Sequence, residues 1–167
     1  MSSLESILKK KGPCLSSDLV KILVEEDRVS NEAARKRVSR LGVNIHRLEG
    51  LPFPRNAKFI YLKKDFRSPF FWQALFAAFK ETNSAYWFAI SAIEEREGII
   101  PYDHFLIACG SPIRQKKHLP PQTIVERLVR HEVFFVKEVE GIGKCIVLTK
   151  YEDDLSYLLT KLKSRLI

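Results

Sequence analysis

The sequence predicts an α+β fold, mostly helical, made of two similar small domains and a closing helix. Three observations predict it. A basic amphipathic stretch over residues 30–41 runs into two short stretches of alternating apolar residues, separated by the loop Gly50-Leu51-Pro52-Phe53-Pro54-Arg55-Asn56. The same pattern returns ninety residues later. Near the end, Leu155, Leu158, Leu159, Leu162 and Leu166 fall at i, i+3, i+4, i+7 and i+11, the stripe of a helix with one apolar face.

Taken in order, Leu4, Ile7 and Leu8 share a helical face that Gly12-Pro13 ends. Ser16 or Ser17 can cap a second helix carrying Leu19, Ile22 and Leu23, which the acidic Glu25-Glu26-Asp27 interrupts. A short connection leads to the basic helix, with Ser30 as its cap and Gly42 as its expected left-handed stop. On a wheel of that helix Val38 and Leu41 fall within about 40° of Ala34, while Glu32, Lys36, Ser39 and Arg40 point the other way. One face suits a core and the other suits phosphate. Val43 and Ile45, then Phe59 and Tyr61, supply the two strands.

Two short helices, a basic third helix, then strand, loop and strand: this order over roughly residues 2–65 resembles the winged helix-turn-helix family. The resemblance implies that the third helix enters a DNA groove while the loop, or wing, lies along the backbone. It implies double-stranded DNA as the partner, with contacts from Arg35, Lys36, Ser39 and Arg40 on the helix. Arg47 on the first wing strand and Arg55, Asn56 and Lys58 in the wing would add to them. Arg37 lies nearer the buried flank and is expected to pack or to pair with an acid of the second helix.

Charge points the same way. Net charge is +8, and residues 1–68 hold fifteen Lys/Arg against eight Asp/Glu, whereas residues 69–167 hold thirteen against twelve. A basic surface concentrates polyanions and releases counterions from a duplex. Three cysteines without close spacing argue against a disulfide framework. With no apolar run of membrane-spanning length and no basic-then-apolar leader, the sequence predicts no membrane partner. It predicts an intracellular protein of the cytoplasm or nucleoid, or of the nucleus in a eukaryote.

After a junction at 66–69, the aromatic run Phe70, Phe71, Trp72, Leu75, Phe76 and Phe79 reads as a buried helix opening the second domain. A helix over 85–97 follows, ended by Gly98. Residues 99–119 then read as an irregular inserted loop, with a short strand or helix at 104–108. Its basic cluster, Arg114, Lys116, Lys117 and His118, offers secondary phosphate contacts, as does Arg130.

Arg37-Val38-Ser39-Arg40 is echoed by Arg127-Leu128-Val129-Arg130, with Val43 matching Val133 and Ile45 matching Phe135. Residues 60–64 are echoed by 146–150 at an offset of eighty-six, so the missing four residues fall in a shorter second wing around 138–144. The expected domains are therefore 1–67, 68–150 and the helix 151–167. That helix can fold back on the core, self-associate, or lead into a further domain.

In the second copy Lys36 becomes Glu126 and Ser39 becomes Val129, so DNA contact is expected of the first copy. His104, Cys109 and His118 lack the spacing of a zinc site, and Asp103, His104 and Ser111 lack a nucleophile elbow. No phosphate-binding glycine loop occurs. The expectation is a non-enzymatic DNA-binding protein without cofactors, a transcriptional regulator or the recognition module of a larger system. One alternative is a protein-interaction scaffold within a complex; another is binding of RNA or single-stranded DNA through exposed aromatics.

Overall fold

Local signals decide where the first helices start and stop. In the computed structural model, which describes residues 3–82, 85–117 and 120–166 with the backbone alone over 110–117, Ser3 caps helix α1 (Leu4–Lys11) and Gly12 closes it at φ 87°. Strand β1 (Cys14–Leu15) runs directly into α2 (Ser16–Asp27). The acidic trio lies inside that helix rather than breaking it, and Arg28 ends it in the left-handed region at φ 53°. Ser30 then caps α3 (Asn31–Ser39), accepting a hydrogen bond from the Ala33 N–H at 3.1 Å. Strands β2 (Ile45–Leu48) and β3 (Phe59–Leu62) follow, then α4 (Pro69–Thr82).

Two details of the expected helix-to-strand passage are corrected. The helix ends at Ser39, with Arg40 at φ −106°, so neither Leu41 nor a left-handed Gly42 is part of its end. Val43 lies outside the strand and is 87% exposed. The chain needs residues 40–44 to turn, and only Ile45 regains the buried face.

The strands pair antiparallel in the order β1-β3-β2. All four residues of β3 are buried, which a one-sided sheet does not allow because successive side chains alternate faces. Ile60 and Leu62 join Leu8, Leu19, Leu23, Ala34 and Val38 in a core under the first three helices. Phe59 and Tyr61 meet Phe71 of α4, with ring centroids 5.6 and 5.0 Å apart. The aromatic helix therefore closes the first unit instead of opening the second. The chain divides into compact units Met1–Thr82 and Asn83–Ile167, so the expected division at 67/68 falls inside the first of them.

The second unit holds α5 (Ala85–Glu94), β4 (Ile99–Pro101), α6 (Tyr102–Lys117), α7 (Pro121–Arg130), β5 (Phe134–Val139), β6 (Gly143–Leu148) and α8 (Leu155–Leu166). Its sheet order, β4-β6-β5, is that of the first unit. The pairs Cys14↔Ile60 and Leu15↔Phe59 become Ile100↔Ile146 and Pro101↔Cys145, a shared offset of eighty-six. A trailing helix follows both sheets.

Of the segment expected as an irregular loop over 99–119, residues 99–117 are instead strand β4 and helix α6, and residues 118–119 lie outside the described residues. An interior proline costs a helix about 3 kcal/mol, yet the backbone stays helical through Pro112, with Phe105 and Cys109 buried one turn apart. Helix α5 ends at Glu94, three residues early, and Gly98 at φ 105° closes the turn after it. One echo also slips by a residue. Ile45 pairs with Leu62 and Phe134 pairs with Leu148, so the partner of Ile45 in the repeat is Phe134, not Phe135.

The shorter connection expected in the second copy is a hairpin turn between Val139 and Gly143, with Gly141 at φ 81° and Gly143 at φ 104°. Leu158 and Leu162 of α8 are buried with Ile99, Cys145 and Val147, flanked by Leu155 and Leu159. Most of the leucine stripe thus folds back on its own unit. Among the described residues no helix is long and apolar enough to cross a membrane.

Candidate nucleic-acid interface

The face of α3 left in water follows from what the other face must cover. Ala34 is wholly buried and Val38 nearly so, which turns Asn31, Glu32, Arg35, Lys36 and Ser39 outward. Lys36 pairs with Glu32 at 3.5 Å, a helical i, i+4 pair in which both side chains are mostly exposed. Such a pair is worth only a few tenths of a kcal/mol, so Lys36 is readily given up to a stronger anion. Ser39 donates its hydroxyl proton to the Lys36 carbonyl at 2.7 Å, which leaves its oxygen to act as an acceptor only. Arg40 sits exposed just past the helix.

Arg37 behaves as its flank position predicts. Its guanidinium donates to Asp27 of α2 at 2.7 Å, and the Asp27 side chain is only 5% exposed.

The loop between β2 and β3 is not an extended arm. Leu51 and Phe53 are buried, and Phe53 stacks on Phe59 and on Phe79 of α4 at 5.9 and 5.2 Å. Two apolar side chains in a loop of this length pull it down onto whatever apolar surface α4 offers. Arg55, held at φ 58°, donates to Ser17 Oγ through Nε and Nη2, both at 3.3 Å, and pairs with Glu81 at 3.3 Å. The Lys58 N–H donates to Ser16 Oγ at 3.0 Å, so this serine ties the loop to the start of α2 rather than capping that helix. Glu49 takes both Arg47, at 3.8 Å, and Lys58, at 3.4 Å.

Folding the loop down builds a groove. Arg35 of α3, Lys21 of α2 and Arg55 of the loop line a hollow of about 530 Å³ together with Asn31 and Asn56, and Glu25 is the acid on its wall. Of the expected contacts, the fold brings Arg35, Arg55 and Asn56 together here. Lys36, Ser39 and Arg40 stay on or beside the outer arc of α3, and Arg47 and Lys58 lie at Glu49. Lys21 was not expected. It stands one helical turn after Ser17, and only the docking of α2 against the loop brings it to the groove.

Among the described residues, the second unit does not repeat the side chains of this groove. At the offset of ninety, Arg35 becomes Val125, which is buried, and Lys36 becomes the exposed Glu126. Arg127, the counterpart of Arg37, donates to the Tyr86 hydroxyl at 2.8 Å. Arg130 is exposed at the end of α7. The side chains of Arg114, Lys116 and Lys117, and all of His118, lie outside the described residues. His104 is exposed while Cys109 is buried, so the two do not face one site.

Comparison of this chain with protein-family models, with curated proteins and with solved structures finds no match in any of the three.

Proposed function

We propose that both units are winged helices and that the first binds double-stranded DNA, making the chain a transcriptional regulator or the recognition module of a larger system. The order helix-strand-helix-helix-strand-strand, with the first strand pairing beside the third, supports the winged-helix reading in both units. The observation that carries the DNA reading is the groove in which Arg35, Lys21 and Arg55 meet a single lining acid, next to the exposed arc of α3. Phosphates supply the anion for such a groove. Lys36 and Arg40 on the outer arc reach neighbouring phosphates or guanine edges. Because the loop is anchored, its contacts are made without ordering a free arm, and less entropy is lost on binding. The second unit, with Val125 and Glu126 at the equivalent positions, is assigned no groove contact.

The test is fluorescence-anisotropy titration of a mixed-sequence duplex over a salt series, with wild type and the Arg35→Ala/Lys36→Ala/Arg40→Ala variant. Binding by wild type is expected, with log K falling linearly in log salt. Each lost phosphate contact should flatten the slope by about 0.9. Equal binding by the triple variant, or no binding of duplex at low salt, overturns the reading. A protein complex that ignores the three changes would favour the scaffold alternative.

A further inference from the structure

Helix α4 buries its aromatic residues with one exception. Phe71, Trp72, Phe76 and Phe79 are all buried, whereas Phe70 is 72% exposed. It lines a groove of about 500 Å³ with Lys9, Lys10 and Lys11 from the last turn of α1, Gln73 of α4, and Asp65. Lys9 also borders an adjoining hollow with Lys63 and Lys64. All five lysines are exposed, and among the described residues no ion pair engages them. None of these residues lines the Arg35 groove.

A ring left in water beside a lysine cluster has the two parts that hold an unpaired nucleotide strand. Ammonium groups track the phosphates and an aromatic face stacks a base, which any base can satisfy. A blunt duplex keeps its bases stacked inside and offers Phe70 nothing. An anionic lipid surface gains nothing from the Gln73 amide and an acidic peptide has no use for the ring, while the acid Asp65 opposes all of these anions alike. We propose that the groove between the end of α1 and the start of α4 binds single-stranded nucleic acid, one base stacking on Phe70 with its flanking phosphates on Lys9, Lys10 and Lys11. The Gln73 amide, a donor and an acceptor, faces the edge of that base. The site is independent of the duplex contact at α3.

The experiment uses the full chain, phosphatidylserine vesicles and three fluorescent probes: an oligothymidylate of about 12 nucleotides, an abasic strand of equal length, and a blunt duplex. Phe70→Ala should weaken oligothymidylate binding roughly tenfold and leave the abasic strand and the duplex unchanged. Phe70→Trp should restore wild-type affinity. Lys9→Ala/Lys10→Ala should weaken both single strands and flatten the salt slope by about 0.7 per lost contact. The Arg35→Ala/Lys36→Ala/Arg40→Ala variant should retain oligothymidylate binding, which separates this site from the α3 face. Wild-type oligothymidylate affinity in Phe70→Ala overturns the proposal. So does an equal loss on the abasic strand, or binding of phosphatidylserine vesicles without binding of the oligonucleotide.

Discussion

The Arg37 guanidinium on α3 reaches the nearly buried Asp27 carboxylate on α2 at 2.7 Å, and this pair sets the third helix against the second. Removing the arginine strips a charge-assisted bond from an acid that water barely reaches. Arg37→Ala should lower the stability of the first unit by about 1–3 kcal/mol, discounted from a fully buried pair because Arg37 is itself a quarter exposed. Urea denaturation followed by circular dichroism measures it. An unchanged midpoint would show that the pair does not hold α3.

Lys21 and Arg55 line the same groove under different constraints. Lys21 is exposed, whereas Arg55 already donates to Ser17 and pairs with Glu81. Lys21→Ala should reduce duplex affinity and flatten its salt slope by about 0.9. Arg55→Ala should have the smaller effect, since binding DNA must compete with those partners. The reverse ranking in anisotropy titrations would put the DNA elsewhere on this face.

A side chain at Gly98 does not fit without displacing Tyr151. Its φ is 105°, and a Cβ there would run into the Tyr151 ring, whose hydroxyl donates to Glu94 at 2.6 Å. Gly98→Ala should cost about 1–2 kcal/mol in backbone strain alone, and more through the displaced ring. Tyr151→Phe, which deletes only the hydrogen bond to the Glu94 carboxylate, should cost about 1.5–3 kcal/mol. Thermal melts of the two variants measure both losses.

Burial, and then the Arg130 charge, hold the His131 imidazole below its usual value of 6.5. The unfolded chain therefore takes up a proton at a pH where the folded chain does not, and the unfolded state binds more protons in that window. Stability is fully present above pH 6.5 and falls as the pH drops toward the lowered folded value. His131→Gln should remove this part of the acid sensitivity. A melt series between pH 7.5 and about 5 reads it directly.

All three thiols are buried and resist ionisation, the first two pushed up by burial to about 12 at Cys14 and about 11 at Cys109, and Cys145 raised as well. Since the thiolate is the nucleophile, iodoacetamide at pH 8 should label native protein slowly and denatured protein rapidly. Fast labelling of the native chain, counted by mass spectrometry, would contradict this burial.

Much of the first unit was legible because its signals are local. The Ser30 cap, the Ala34 and Val38 face and the Arg37 flank each depend on residues within a turn or two. The repeat was legible because pattern survives at a constant offset. The slip at Phe134 was not: Val43 and Val133 match as letters, but Val43 is exposed while Val133 is buried, and the ladder sets Phe134, not Phe135, opposite Leu148. The sequence predicts a loop where helix α6 lies because Pro101, Gly110 and Pro112 argue against a helix, and tertiary burial of Phe105 outweighs them. The groove was half legible, since Arg35 announces itself on the wheel while Lys21 needs the docked loop.

By itself, then, the sequence determined the α+β class, the two-fold recurrence, the capped basic helix and the excess of positive charge in the first half. These rest on periodicity, caps and composition, which act over a few residues. Tertiary structure alone decided that α4 belongs to the first unit, that the loop between β2 and β3 lies down on Phe59 and Phe79, and that Phe70 is left in water. An apolar stripe states how much surface must be covered but not which sheet covers it, and that choice is made by contacts between residues far apart in the chain.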